Sequence, residues 1–256
     1  MSVKRMYLIP GGIVNADRSI LLSGVDIGQK IKAPVISVLL IHDSGPILID
    51  TGLNPEGLTN PEGAWGPRAK LIKPELTKAD DIRSRLKEVG LGVEDVKMVI
   101  LTHLHWDHTG GLRFFTHCPI AVQKEEYRFA YQPDSFVAAQ YMSNHIHFPL
   151  NYRLLEGDQI LLPGISVIKT QGHTPGHQSV LIRLESGAFF IFAGDTISLE
   201  DNLTYKIPGS NTWSAQQSMD SIYRLEHLSQ LLPAQIIPSH DIRKWSRLKK
   251  SPDFYE

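Results

Sequence analysis

Residues 101–111 read LTHLHWDHTGG, which puts three of the chain's 11 histidines and one aspartate within positions 103–108. A core segment avoids such a cluster, because each buried imidazole needs a hydrogen-bond partner. Convergence on something that takes nitrogen and oxygen ligands suits these side chains better. The preceding run 97–102 (KMVILT) has the composition of a strand and leads straight into His103. From an extended segment His103 and His105 project the same way. Asp107 and His108 follow a turn that Gly110 and Gly111 allow to be tight. Imidazoles with carboxylates, and no thiol nearby, suit Zn²⁺ or another borderline first-row ion. Four ligands from one segment cannot all close on one ion with good geometry, so two ions sharing the segment are expected.

Three later segments repeat the pattern of a strand followed by a ligand. ISVIKTQGHTPGH ends a strand near His173, AFFIFAGD ends one at Asp195, and QIIPSHD ends one at His240. One edge of a sheet sandwich would gather all of them. Seven ligands divide into three histidines for one metal, two histidines and a carboxylate for the other, and one bridging carboxylate. Asp50, in LIDTG, also follows a strand and is expected to orient a ligand histidine through its second ring nitrogen. His42, His117, His145, His147, His177 and His227 are read as surface or hydrogen-bonding residues, His177 being the one that could stand behind a ligand. Cys118, the single cysteine, is read as a small buried hydrophobe.

Working outward, short runs rich in Val, Ile and Leu lie at 35–41, 46–50, 97–102, 119–122, 165–170, 178–184, 188–193 and 235–238. Gly, Pro, Asp or Ser bound them, which is the strand signature. Thr77 with Asp80 marks a helix start, Ile82, Leu86 and Val89 its buried stripe, and Gly90 its end. Ser214 with Gln217 marks a longer helix facing the core through Met219, Ile222, Leu225 and Leu228, and ended by Pro233. Residues 123–131 read as a short helix. Strands outnumber helices, which predicts an α+β fold: a four-layer αβ/βα sandwich of two mixed β-sheets with outer helices, in one domain over residues 1–256. Residues 53–76 carry Pro, Gly and Asn without periodicity, and a loop of that length is usually functional or mobile.

Composition fits this picture. The 256 residues are 42% hydrophobic and 21% charged, with 26 basic against 27 acidic side chains. A net charge of −1 lacks the basic excess of a nucleic-acid partner. No run approaches the roughly 20 apolar residues of a membrane span. The opening MSVKRMYLIPGG reads as a strand ending at Pro10 and Gly11, too short in its apolar part for a signal peptide. A soluble, cytoplasmic protein is expected.

The pattern His103-x-His105-x-Asp107-His108, followed in order by His173, Asp195 and His240, resembles the metallo-β-lactamase superfamily. Within it the chain looks most like the N-acyl homoserine lactonases. The likeness extends over VKRMYLIPGG, GPILIDTG, LTHLHWDHTGGLRFF, NYRLLEGD, TQGHTPGHQSVLI, PSHD and PDFYE. It implies a dinuclear zinc hydrolase that opens the lactone ring of quorum-sensing signals without an organic cofactor. It also implies that His103, His105 and His173 hold one Zn²⁺, Asp107, His108 and His240 the other, with Asp195 bridging. Two such ions about 3.5–4 Å apart yield a shared hydroxide near neutral pH, able to attack an ester carbonyl. Asp107 is then the nearest group to pass a proton to the leaving oxygen.

One position departs from the family. Where a tyrosine lies three residues after the bridging aspartate and bonds the lactone carbonyl, this chain has Ser198. Ser198 is therefore the second candidate catalytic residue, and Tyr205 has no spacing that brings it to the site. Another lactone remains open as the substrate, as do a thioester of the glyoxalase II kind and a phosphodiester on the same metals. A metal-binding protein without turnover is the non-enzymatic alternative. Trp65 in loop 53–76 and Tyr131, Phe136, Tyr141, Met142 and Phe148 are candidates for an apolar pocket, for ordinary core, or for the surface of a homodimer.

Overall fold

The computed structural model describes residues 1–256. Its strands are β1 (Val3–Asp17), β2 (Lys30–His42), β3 (Gly45–Ile49), β4 (Met98–Ile100), β5 (Pro119–Gln123), β6 (Asn151–Leu155), β7 (Gln159–Leu162), β8 (Ile165–Lys169), β9 (Gln178–Arg183), β10 (Phe189–Phe192) and β11 (Gln235–Ile237). One sheet has the order β1-β2-β3-β4-β5-β6, antiparallel as far as β3 and parallel from there to β6. The other has the order β11-β10-β9-β8-β7, in which only β10 and β11 run parallel.

Period-two alternation builds the layers. Along β2, Ile36, Val38 and Leu40 enter the core between the sheets, while Leu39 turns to the opposite face. Val167, Val180, Ile182 and Phe192 meet them from the second sheet. On the outer face of the first sheet, Leu48, Val99 and Ile120 pack on Ile82 and Leu86 of the helix Ile82–Glu88. On the outer face of the second, Ile191 packs on Ile222 and Leu225 of the helix Ala215–Leu231. The result is the expected αβ/βα sandwich of two mixed sheets. No helix is long and apolar enough to cross a membrane.

Helix starts follow the caps. The Ser214 side chain accepts from Gln217 N–H, and Met219 and Leu228 lie half-buried against the same outer core as Ile222. Thr77 and Asp80 do form a capping box, but over a 3₁₀ turn, and Asp81 caps the helix proper by accepting from Arg83 N–H. Two adjacent acidic caps compete there, and the second wins because Ile82 is the first residue of the buried stripe.

Two expectations need correction, and two strands lie outside the runs read as such. β1 does not end at Pro10 but continues to Asp17, through a register shift between Pro10 and Ile13. Gly12 allows it with φ +104°, a backbone conformation in which a side chain is strained. β6 and β7 are not among the runs read as strands, and each buries one residue, Leu155 and Leu161. The stretch 53–76 folds into short turns capped by Asn54 and Asn60, and Trp65 is buried against Trp106 with ring centroids 6.4 Å apart.

Candidate metal centre

Four strand ends deliver the predicted residues to one edge of the sandwich. β4 runs into His103–His108, the β8–β9 connection carries His173, β10 ends before Asp195, and β11 ends before His240. All seven are buried. The possible ligand atoms of His103, His105 and His173 lie within 4.8 Å of one another, and the same holds for Asp107, His108 and His240 and for His103, His108 and Asp195. Asp195 stands between the triads. Its Oδ1 is 3.3 Å from His108 Nε2 and 3.1 Å from His240 Nε2, and its Oδ2 is 3.4 Å from His173 Nε2.

Hydrogen bonds behind the imidazoles assign their tautomers. The Pro34 carbonyl can only accept, so His240 donates to it from Nδ1 at 2.9 Å and turns the Nε2 lone pair inward. His108 donates from Nδ1 to Asp50 Oδ2 at 2.7 Å, the orienting role expected of Asp50. Thr102 spends its hydroxyl proton on the same carboxylate at 2.8 Å, so His103 Nδ1, 3.0 Å from that hydroxyl, is the donor to it. The Nε2 atoms of His103, His105 and His108 are consequently buried with no hydrogen-bond partner. His105 Nδ1 and His173 Nε2 approach to 3.0 Å, a separation that needs a proton or cation between two lone pairs. Unpartnered, buried ring nitrogens converging with carboxylates fit two divalent cations.

Charge tells the same story. Burial and the neighbouring imidazoles hold the pKa of His103 and of His105 well below the ordinary histidine value, so both are neutral donors at neutral pH. Burial also opposes charge on His108 and His240. The facing carboxylates, Asp107 and Asp195, overcome it and raise both pKa values. Burial would raise Asp195, but His240, His108 and His173 hold its carboxyl well below the usual range. The centre therefore demands positive charge among its carboxylates.

Other residues set the geometry, and of these the sequence reading passed over Glu126 and Ser239. Glu126, in the first turn of the helix Lys124–Tyr131, is fully buried and accepts from Leu104 N–H at 2.9 Å, Thr174 Oγ1 at 2.5 Å, Gly176 N–H at 3.2 Å and Tyr141 Oη at 3.3 Å. It ties the 103–108 loop to the His173 loop. His177, fully buried, accepts from Asp195 N–H at 3.0 Å and so fixes the aspartate's backbone. Ser239 donates to Asp195 Oδ1 at 2.8 Å. Gly110 lets two chains touch: a Cβ there would stand 2.0 Å from Asn54 N. Glu126 and Ser239 have no local signal, because each acts through a partner remote in sequence. Glu126→Ala is expected to leave two N–H groups and two hydroxyls unpaired, at a cost of about 3 kcal/mol. At this chain length that lowers Tm by about 6–12 °C. A thermal scan of metal-loaded protein with unchanged Tm would remove Glu126 from this role.

A cleft of about 80 Å³ lies over the donors, walled by His105, Trp106, Asp107, Asp195 and His240 among others. Beside it opens a mostly apolar cavity of about 510 Å³, which shares Ala16, Ile20 and Ile72 with the cleft and includes Tyr141 and Met142. Of the candidate pocket aromatics, Tyr141 lines this cavity, Trp65 belongs to the core, and Tyr131, Phe136 and Phe148 lie elsewhere. Ser198 is buried at the end of the turn that carries Asp195, and its carbonyl accepts from His240 N–H at 3.0 Å. Tyr205 is 57% exposed.

The fold and this centre define a class, the metal-dependent hydrolases of the metallo-beta-lactamase superfamily, whose family model matches residues 33–240. Among relatives, the N-acyl homoserine lactonase AiiA of Bacillus thuringiensis subsp. kurstaki is 34% identical over 256 residues, covering 99% of this chain and 100% of the relative. The lactonase AttM of Rhizobium radiobacter is 30% identical over 258 residues, covering 98% of each. A solved N-acyl homoserine lactone hydrolase with the product N-hexanoyl-L-homoserine at its catalytic metal centre superposes with a TM-score of 0.90 at 33% identity, over the whole of both chains. The chain belongs to the N-acyl homoserine lactonase family of that superfamily.

Proposed function

We propose that this protein opens the lactone ring of N-acyl homoserine lactones at a dinuclear zinc centre. The observation that carries the reading is the Asp195 carboxylate, whose Oδ1 faces His108 and His240 of one triad and whose Oδ2 faces His173 of the other. In this reading His103, His105 and His173 hold one ion, Asp107, His108 and His240 hold the other, and Asp195 bridges. A nitrogen-rich donor set without thiolate favours zinc. Two divalent ions, when bound, acidify water toward neutral pH and polarise the ester carbonyl.

The chain's own groups supply the rest. Asp50, Thr102 and the Pro34 carbonyl hold the Nδ1 protons of His108, His103 and His240 and aim their Nε2 atoms inward. Water adds to the carbonyl carbon, the ring C–O bond breaks, and a proton must reach the departing ring oxygen. Asp107 lines the cleft and is the group to carry it. The acyl chain takes the apolar cavity beside the cleft. Cys118, buried and free, suits the cytoplasm as its compartment.

Ser198 stands where the resemblance implies a carbonyl-binding tyrosine. Losing a well-placed donor of this kind costs roughly 2.7–4 kcal/mol. Serine is shorter, so Ser198→Ala is expected to lower turnover by about tenfold or less, about 1.4 kcal/mol. A collapse of several hundredfold at equal metal content would make the serine a primary catalytic group. The same substitution supports a second reading, in which the preferred lactone carries a different side group. Comparing kcat/KM for an acyl homoserine lactone, a plain lactone, a glutathione thioester and a phosphodiester tests the assignment. The acyl homoserine lactone should lead, and a preference for thioester or phosphodiester would overturn it.

A further inference from the structure

We infer that Arg68 selects lactones whose acyl chain carries a carbonyl oxygen beyond the amide, as in a 3-oxoacyl chain; this rests on the lactonase reading above. The cavity beside the metal cleft offers an alkyl chain Ile20, Leu71, Ile72 and Met142. Its volume lies within the roughly 300–1,000 Å³ range of ligand sites. The wall also carries Asn15, and Asp17 with Lys30, whose charged ends lie 3.9 Å apart; Arg68 is the charged side chain in it without a partner of opposite charge. Its guanidinium is half-buried, pairs with no carboxylate, and makes one hydrogen bond to protein, from Nη1 to the Ala139 carbonyl. Nε is enclosed with no acceptor at all.

A guanidinium has five N–H donors, and burying them unpaired is costly. The position of this one matters. Its Cζ stands 5.9 Å from the ring of Trp106, the residue between ligand His105 and Asp107, and Trp106 itself lines the cleft. Arg68 thus sits where a chain leaving the metal cleft enters the apolar cavity. An alkyl chain passing there leaves the guanidinium hydrogens without an acceptor. A carbonyl oxygen near the start of the acyl chain satisfies them. Discrimination is strong when a site is built to hydrogen-bond a group that the competitor lacks.

The test compares N-octanoyl and N-(3-oxooctanoyl) homoserine lactone, with γ-butyrolactone as a substrate that has no side chain. The native protein should favour the 3-oxo compound. Arg68→Met, which keeps an unbranched apolar stem, should cost about tenfold to a hundredfold in kcat/KM on the 3-oxo lactone, the range of one hydrogen bond from a charged donor. The loss should be smaller on the octanoyl lactone and smallest on γ-butyrolactone. Equal losses on all three, or an unchanged ratio between the two octanoyl compounds, would overturn the inference. If the native protein opened none of them, the lactonase reading would fall by itself. Calorimetric titration with the two ring-opened octanoyl acids would still decide on Arg68: a 3-oxo preference lost in Arg68→Met supports it, and no preference in the native protein refutes it.

Discussion

Asp195→Ala protein is expected to purify with neither metal position stoichiometrically filled, and with lactone opening reduced by more than about 10³-fold. Removing a single donor that stabilises an oxyanion already costs about 10²–10³, and this change disturbs both cations. The two carboxylate oxygens face different histidines at 3.1–3.4 Å, so both triads lose the carboxylate they share. Ser239 and the His177-bound backbone hold the aspartate from behind, so the fold around position 195 should survive and far-ultraviolet circular dichroism should match the native protein. Elemental analysis that found two ions retained per chain would remove Asp195 from its bridging role.

Asp50→Asn should weaken divalent-ion binding by about 10–100-fold at the position served by His108, the range for groups that orient metal ligands. The reason is tautomeric. Thr102 N–H donates to Asp50 Oδ1 at 2.8 Å, and a backbone N–H can only donate. The amide oxygen of asparagine must therefore take that place, which turns its NH₂ toward His108 Nδ1. The imidazole then accepts at Nδ1 and carries its proton on Nε2, the atom meant to bind metal. Titrating metal-free protein against a competing chelator measures the effect. Equal affinity in the two proteins would mean that the 2.7 Å contact does not set the tautomer.

The candidate metal donors were legible because they follow strands whose composition announces them. KMVILT, AFFIFA and QIIP are apolar enough to be read locally, and a sheet edge then gathers whatever follows them. Asp50 was legible for the same reason. What escaped depends on distant partners. Glu126 looks like any acidic residue in a first helical turn, and only the folded chain brings it to Leu104 and Gly176, 22 and 50 residues away. β6 escaped because an edge strand need not be apolar, whereas β7, QILL, is apolar in three of its four positions and fits the same local signature as the strands that were read. Loop 53–76 escaped because its short turns are held by Trp65 packing on Trp106 rather than by periodicity. Arg68 lies in that loop, so its place at the mouth of the cavity had no local signature either.

Stepwise reconstitution of metal-free protein with zinc, while lactone opening is followed by acid release, tests the central claim most directly. Activity on an N-acyl homoserine lactone should rise until two equivalents per chain are bound, plateau there, and vanish when a chelator is added. A plateau at one equivalent, or no acid release with two ions bound, would contradict a dinuclear lactonase.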